Sequence, residues 1–252
     1  MTTLTQSQIA NGPVSAIVSH TSLRSKNECE LASARLVMLG VIHRDKEGAP
    51  LLSRWLDYLK PDVITLEFSR YGMMFRKRHG AALRSRVDGL AAKMGLGAEP
   101  ASRGAFETLH DYIELPYEYT ETSQYAEGLG IPMHLVDLDL FSYINLRSMD
   151  ELLDEKNVQV WFGERKELAG EVEKARALAR LFFDKDIKTF SYTDEMLTRD
   201  RHVKEKLAVL MRHYLGKRVL HVCGWQHLSD PHNIYDSLNP VKVFVHDRSF
   251  RI

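Results

Sequence analysis

The stretch RLVMLGVIHRDKEGAPLLSRWLDYLKPDVITLEF, residues 35–68, decides the fold class. It opens with an unbroken apolar run, which is typical of a strand buried on both faces in a parallel sheet. After a polar turn, five apolar residues recur at helical spacing: Leu51, Leu52, Trp55, Leu56 and Leu59. Lys60-Pro61 closes this helix, and a second buried strand follows at 61–68. Strand, helix and strand over about 30 residues form a β-α-β unit with an expected right-handed crossover.

Similar patterns continue along the chain. Further strands are predicted at MHLVDLDL (133–140), RVLHVCGW (218–225) and VKVFVHD (241–247), and helices at 69–111, 116–128, 149–184 and 193–215. Residues 1–33 are polar and weakly patterned, with SAIVSH (15–20) as a candidate edge strand. We therefore predict a partly flexible leader at 1–33 and one α/β domain at 34–252. Its central sheet is expected to be mostly parallel with helices on both faces, and 69–130 and 149–200 to form a helical cover over a crevice at the carboxyl ends of the strands.

Composition excludes several classes of protein. The 252 residues include 34 Lys and Arg and 34 Asp and Glu, so no net charge favours a nucleic-acid partner. No apolar run approaches the roughly 18 residues of a membrane span, and no secretory signal is visible. We therefore expect a cytoplasmic protein without a membrane span. The two cysteines lack CxxC spacing, and Cys223 in an apolar strand is interpreted as a buried thiol. Motifs of P-loop NTPases, dinucleotide dehydrogenases, common serine hydrolases and zincins are absent from the sequence.

Two similar segments of the sequence predict a functional site. RLVMLGVIH and RVLHVCGWQH each combine an arginine, an apolar strand and a G-x-x-H motif, and each precedes a proline and another apolar strand. This pattern predicts a degenerate duplication of one β-α-β unit. It places His43 and His227 just past the carboxyl ends of buried strands, where open α/β sheets bind ligands. Two imidazoles facing one crevice would suit metal binding or acid–base chemistry near neutral pH.

The second strand ends in a carboxylate that needs a partner. Glu67 closes an apolar run, so it is a candidate metal ligand, a general base, or one half of an ion pair with Arg70. The basic stretch from Arg70 to Lys93 could form a patch for an anionic partner. A solvated helix face is the favoured interpretation, because the whole protein is neutral.

Other candidate residues flank the third strand and the helix before the fourth. Asp137 and Asp139 alternate with apolar residues, so both are expected on one face of a strand, one lining the crevice or capping a helix. Glu118 lies near the start of a predicted helix, where an acid also favours the helix dipole. Arg199 could recognise a carboxylate or phosphate, or form an exposed ion pair, and Asp200 could cap its helix or hold Arg199.

Together these motifs resemble the TraB/PrgY-like proteins. The resemblance rests on LGVIHRDKEG…LKPDVITLEFSR, YAEGLGIPMHLVDLDL and LTRDRHVKEKL…KRVLHVCGWQHL, and covers about residues 35–228. This family belongs to a superfamily with Tiki metalloproteases, GumN-like proteins, ChaN-like haem-iron binders and erythromycin esterases. The resemblance implies two related halves with paired G-x-x-H motifs at His43 and His227. It also implies an acid at Glu67 and an Arg-Asp pair at Arg199 and Asp200, positions associated in Tiki proteins with metal-dependent peptide cleavage.

Three functions follow as hypotheses. The first is a metal-dependent hydrolase, most plausibly a peptidase, in which Mn²⁺, Co²⁺ or Zn²⁺ is bound by His43, His227 and Glu67. Glu67, as ligand or general base, would act with Arg199 and Asp200 in catalysis, and the metal would activate a water. We expect the peptide or small-molecule substrate to be bound by Arg70, Glu118 and Asp137.

The second hypothesis is a metal-independent esterase in which His43 acts as general base, oriented by Glu67 or Asp137. The third is a non-catalytic protein that binds a peptide, a haem-like ligand or a partner protein. The sequence leaves the substrate, the metal and the oligomeric state open.

Overall fold

A computed structural model describes residues 28–45, 47–95, 109–164 and 171–250. Within them lies a five-stranded sheet, parallel throughout, in the order β3-β2-β4-β1-β5. Its strands are β1 Leu36–Val41, β2 Val63–Leu66, β3 Met133–Leu135, β4 Val219–Gly224 and β5 Val241–Phe244. The predicted α/β class and all five main strands are confirmed, whereas the candidate strand 15–20 lies outside the described residues.

Helices occur in each segment where helical spacing predicts them, and two more occur at Glu28–Ser33 and Asp139–Arg147, where none was predicted. They are α1 Glu28–Ser33, α2 Gly48–Leu59, α3 Arg70–Lys93, α4 109–113, α5 Tyr117–Leu129, α6 Asp139–Arg147, α7 Met149–Leu152, α8 Glu155–Glu164, α9 Glu171–Lys185 and α10 Asp194–His213. None of these helices is long and apolar enough to cross a membrane. The helix α1 falls within the predicted leader, and its Leu31 is buried in the core.

The alternation of side chains along β1 explains its unbroken apolar sequence. Val37, Leu39 and Val41 belong to one core cluster, and Leu36 and Met38 to another. Successive side chains of a strand point to opposite faces, so a strand covered on both faces must be apolar at every position. The cover comes mainly from α2 on the first face and from α10 on the second.

A third core cluster lies among the helices rather than on the sheet. It joins α3, α4, α6, α7 and α8 through eight buried residues: Leu83, Val87, Leu109, Ile113, Leu146, Met149, Leu153 and Val158. The long helix α3 therefore packs one face against these helices, while its basic residues other than Arg76 are exposed, in agreement with the predicted solvated face.

The third strand ends earlier than the sequence predicts. The expected span was 133–140, but β3 stops at Leu135. Asp137 and Asp139 then turn to different partners: Asp137 binds Arg199, and Asp139 accepts a hydrogen bond from the backbone N–H of Tyr71 at 2.7 Å. The prediction that both aspartates share one strand face is therefore wrong, because the chain turns into α6 at Asp139.

The strand order interleaves the two predicted halves. β1 and β4 are central neighbours, paired in register from Leu36 with Val219 to Val41 with Gly224, while β2 lies beyond β4 and β5 beyond β1. The connection from β4 to β5 contains the 3₁₀ turns Trp225–Ser229 and Asp236–Leu238 instead of an α-helix. The second unit therefore differs from the predicted β-α-β form. In place of a helix, the buried side chains of Leu228 and Tyr235 in this connection pack into the core.

Candidate functional site

The two G-x-x-H motifs meet at the carboxyl edge of the sheet. His43 follows β1, and His227 lies in the 3₁₀ turn directly after β4. An ideal Cβ on Gly224 would lie 2.8 Å from His43 Nε2 and 3.6 Å from His227 Cδ2, so these two ring atoms are at most about 6.4 Å apart. Since β1 and β4 are adjacent, the paired motifs bring two imidazoles from distant parts of the chain to one place.

The glycine of each motif is needed by the turn of the other motif. A Cβ on Gly40 would lie 2.6 Å from Leu228 Cδ1 and 2.9 Å from the Trp225 Cα, both in the turn that carries His227. A Cβ on Gly224 would collide with His43 instead. A side chain at Gly40 would push the turn of His227 away from the sheet edge, whereas one at Gly224 would displace the ring of His43.

His227 is held between two buried carboxylates. Its Nδ1 lies 2.6 Å from Asp200 Oδ1, and its Nε2 lies 3.0 Å from Glu67 Oε1. Ionised carboxylates can only accept hydrogen bonds, so this arrangement favours a proton on each ring nitrogen. Burial opposes the charge, but Glu67 and Asp200 outweigh it and raise the pKa of His227 to about 10. His227 is therefore an imidazolium at neutral pH.

Asp200 is fixed by two tyrosines as well as by His227. The Tyr235 hydroxyl donates to Asp200 Oδ1 at 2.9 Å, and the Tyr192 hydroxyl donates to the other carboxylate oxygen. Burial and the adjacent Asp200 charge raise the pKa of both phenols, which keeps them protonated as donors. The predicted alternatives, a cap for the helix or a partner for Arg199, are replaced by contact with His227.

Glu67 is the centre of a second buried ion pair. Arg199 Nη2 lies 2.5 Å from Glu67 Oε1 and 2.8 Å from Asp137 Oδ2, and the Gly224 N–H donates to Glu67 Oε2 at 2.8 Å. Burial opposes ionisation of Glu67, but His227 and Arg199 lower its pKa far below the ordinary value. The predicted pairing of Glu67 with Arg70 is therefore wrong. Arg70 is exposed at the first turn of α3.

His43 contacts a buried carboxylate through one ring nitrogen, and its other ring nitrogen lies beside Gly224. Its Nδ1 lies 2.6 Å from Glu118 Oε1, and the side chains are 55% and 3% exposed. Partial desolvation opposes protonation, but Glu118 outweighs it and raises the pKa of His43 above 6.5. When His43 is neutral, Nδ1 keeps its proton for the carboxylate and Nε2 carries a lone pair. The second Glu118 oxygen is buried without a hydrogen-bond partner among the described residues.

The turn that carries His43 is also held by side chains of α9 and of the segment after β5. Asp45 is buried, accepts a hydrogen bond from Arg176 Nε at 3.0 Å and lies 2.8 Å from His246 Nε2. Burial opposes the charge on Asp45, but these contacts outweigh it and lower its pKa. They tie α9 and the end of β5 to the turn, in which Arg44 adopts a left-handed backbone with φ of 62°.

The three predicted metal ligands lie together, but the donor atoms of two of them, His227 and Glu67, are already engaged. Both nitrogens of His227 and both oxygens of Glu67 contact charged or N–H groups of the protein. A metal-binding histidine must offer a deprotonated nitrogen, whereas His227 is held as a cation. Within the described ranges, no group of three or more His, Cys, Asp or Glu side chains could hold a metal ion. As arranged, the site does not fit Mn²⁺, Co²⁺ or Zn²⁺.

Sequence reasoning gave Glu118 a different role and missed the two tyrosines. Glu118 was expected to bind substrate, but it contacts His43 instead. Tyr192 and Tyr235 stand in segments without a recognisable motif, so the only available signal was that a buried Asp200 would require donors. Cys223 is buried as predicted, and burial raises its thiol pKa well above the ordinary value.

Comparisons of the chain with models of known protein families, with curated proteins and with solved structures found no match. The resemblance to TraB/PrgY-like proteins therefore stays a prediction. The function must be argued from the geometry of the site.

Proposed function

We propose that the protein is a hydrolase that cleaves an ester or peptide bond with a water activated by His43, without a metal. The observation that carries the proposal is the pair formed by His43 and Glu118. The buried carboxylate fixes Nδ1, which leaves Nε2 on an imidazole whose side chain is 55% exposed. A base whose one nitrogen is fixed by a carboxylate and whose other nitrogen carries a lone pair is the arrangement general-base catalysis needs.

The proton balance of the reaction needs only His43 and water. Nε2 removes a proton from the water as its oxygen bonds to the substrate carbonyl carbon, and a tetrahedral intermediate forms. Collapse of the intermediate breaks the bond to the leaving alcohol or amine, which takes the proton from Nε2. Glu118 stabilises the imidazolium that exists between these two proton transfers.

His227 has a different role because its charge is locked. With Asp200 and Glu67 on its two nitrogens, it cannot exchange protons with a substrate near neutral pH. Its ring instead forms part of the wall next to Gly224, beside Nε2 of His43. One imidazole therefore acts as base and the other as a fixed, charged element of the framework.

The interleaved strand order supports the proposal that the two halves arose by duplication. Exchanging β1 with β4 also exchanges their outer neighbours, β5 and β2, so the strand order is consistent with an approximate twofold relation. His43 and His227 then occupy equivalent positions that have acquired different carboxylate partners. We include in this proposal a helical cover over the crevice, to which α3, α4 and α5 would contribute.

The test compares ester and peptide hydrolysis by the wild type with that of His43→Gln, in the presence and absence of a chelator. We expect His43→Gln to lose about 10²-fold or more of kcat/KM, as is usual for a lost general base. Exposed His79, on α3, provides the matched control His79→Gln. Chelation is expected to leave the wild-type rate unchanged.

Three outcomes would contradict the proposal. Full activity in His43→Gln would exclude His43 as the base. Activity that disappears on chelation and returns with Mn²⁺, Co²⁺ or Zn²⁺ would support the metal-dependent peptidase that the resemblance implies. Tight binding of a peptide or haem-like ligand without turnover of any ester or peptide would support a binding protein.

A further inference from the structure

Three residues that directly follow site residues in the sequence form a group beside the site, here called the rim. Arg44 follows His43, Phe68 follows Glu67, and Tyr119 follows Glu118. The rings of Phe68 and Tyr119 are in contact, with centroids 5.8 Å apart. The strands and helices that position the catalytic groups therefore also place an aromatic surface beside them.

Cationic side chains lie over the rings of this rim. The Arg76 guanidinium is 5.4 Å from the Phe68 ring, and the Lys77 ammonium is 5.2 Å from the Tyr119 ring. The Arg44 guanidinium lies 4.0 Å from the ring of Tyr112, on α4. Such stacking holds a guanidinium by its face and leaves donors at its edge for a ligand, and it attracts an ammonium through its charge.

Two guanidinium groups converge at Tyr112. Arg44 covers its ring, while Arg76 donates from Nε to its carbonyl oxygen at 3.1 Å. Arg76 also donates from Nη1 to the Gly72 carbonyl at 3.2 Å. Burial and the charge of Arg44 lower the pKa of Arg76, consistent with two neighbouring positive charges.

Other basic residues of α3 are engaged differently. Arg86 pairs with Asp150, and Lys93 pairs with Glu155. By contrast, the contacts shown for Arg76 and Lys77 are with backbone carbonyls and aromatic rings. The basic stretch therefore divides into a part paired with carboxylates, to which Arg84 also belongs through Glu114, and a part that faces the rim.

We propose that Arg44, Arg76 and Lys77, the cationic rim, bind an anionic group, a carboxylate or a phosphate, on the substrate whose carbonyl is presented to Nε2 of His43. Guanidinium groups recognise such oxyanions through paired N–H donors, and an ammonium adds a point charge. This inference rests on the proposed function and specifies its substrate class. It also explains why the position after His43 is an arginine in a left-handed backbone conformation, where its side chain reaches Tyr112.

The first arm of the test measures binding without requiring turnover. Glutarate and inorganic phosphate are titrated separately into wild-type protein, which distinguishes a carboxylate site from a phosphate site. We expect at least one to bind, and Arg44→Gln and Lys77→Gln each to weaken its binding about tenfold or more. Arg78→Gln, an exposed position on the same helix, is the matched control and is expected to bind as the wild type does.

The second arm measures selectivity between two esters of equal chain length. The p-nitrophenyl monoester of glutarate carries a free carboxylate, and p-nitrophenyl valerate does not. We expect a higher kcat/KM for the glutarate monoester, with the preference reduced about tenfold in Arg44→Gln, chiefly through KM. Arg76→Gln gives the same comparison if it folds, and Arg44→Gln and Lys77→Gln decide the outcome if it does not.

The two proposals fail in different ways. If neither ester is hydrolysed, the hydrolase proposal fails while the binding arm still tests the rim. If neither anion binds the wild type, or if binding is as strong in Arg44→Gln and Lys77→Gln as in Arg78→Gln, the anion site is refuted.

Discussion

Replacing Gly224 by alanine is expected to displace the ring of His43 while leaving the stability of the fold nearly unchanged. The new Cβ would lie 2.8 Å from His43 Nε2, whereas ordinary contacts begin at 3.4 Å, so the ring must move by about 0.6 Å. The backbone at Gly224 has φ of −58° and ψ of 137°, which alanine adopts without strain. His43 is largely exposed and can yield, so the clash falls on the catalytic geometry.

The expected stability change is small. An alanine at a compatible backbone position adds about 0.4–1 kcal/mol by restricting the unfolded chain, which offsets part of the cost of displacing His43. We expect the free energy of unfolding to change by less than about 1 kcal/mol. Gly40→Ala is the matched control, because its Cβ meets Leu228 at 2.6 Å and the Trp225 backbone at 2.9 Å. This overpacking should cost about 1–3 kcal/mol.

Two assays measure the separate effects. Urea unfolding gives the stability of both variants. A histidine NMR titration follows the pKa of His43, which should fall towards its ordinary value in Gly224→Ala as the contact with Glu118 is disturbed. A misplacement of about 1 Å can cost about 10²-fold in rate, so we expect hydrolysis to fall about tenfold or more. Unchanged hydrolysis and an unchanged His43 pKa, or a loss of stability as large as that of Gly40→Ala, would refute this geometry.

Three further predictions concern individual charges and thiols. Glu118→Gln removes the main cause of the raised His43 pKa. The rising limb of kcat/KM against pH should therefore move to lower pH, and the maximum of kcat/KM should fall about 10²-fold. A rising limb at the same pH would exclude Glu118 as the partner of His43. His227 has a folded pKa of about 10 against 6.5 unfolded, so its stabilisation is complete below pH 6.5 and is lost as pH rises through 10. Urea midpoints should therefore decline over that range in the wild type and more gently in His227→Gln; parallel declines would contradict the locked imidazolium. Cys29 is exposed and Cys223 is buried. A thiol reagent should therefore modify one thiol per native chain and the second only in denaturant. Two fast reactions of the native chain would show that Cys223 is accessible.

The meeting of His43 with His227 was accessible to sequence reasoning. Each histidine follows an apolar strand at the same offset, and strands of that composition occupy the interior of a parallel sheet. Once β1 and β4 are neighbours, equal offsets place both side chains at one edge. Local composition therefore indicated both histidines, and the pairing of β1 with β4 brings them together.

The partners of the charged groups in the site could not be predicted from the sequence in the same way. The ion pair considered for Glu67 among other roles was with Arg70, three positions away, but Glu67 binds Arg199, 132 positions away. The contact of Glu118 with His43 depends on how α5 packs beside β2, which helical periodicity does not specify. A buried charge indicates that a partner is required, but its identity depends on tertiary packing.

The end of β3 shows a related limit. The alternating sequence from Met133 to Leu140 fits a strand, yet the chain leaves the sheet after Leu135. Binding of Asp137 to Arg199, and of Asp139 to the start of α3, competes with continued strand pairing. Tertiary contacts of the two aspartates therefore override the local pattern.

The most direct test of the central claim is a residue-resolved ¹⁵N NMR titration of the two site histidines. We predict that His227 keeps a proton on both ring nitrogens well above neutral pH. We also predict that His43 titrates above 6.5 and, once neutral, has a bare Nε2 and a protonated Nδ1. A His227 that is neutral at neutral pH, or a neutral His43 with its proton on Nε2, would contradict the division of roles on which the hydrolase proposal depends.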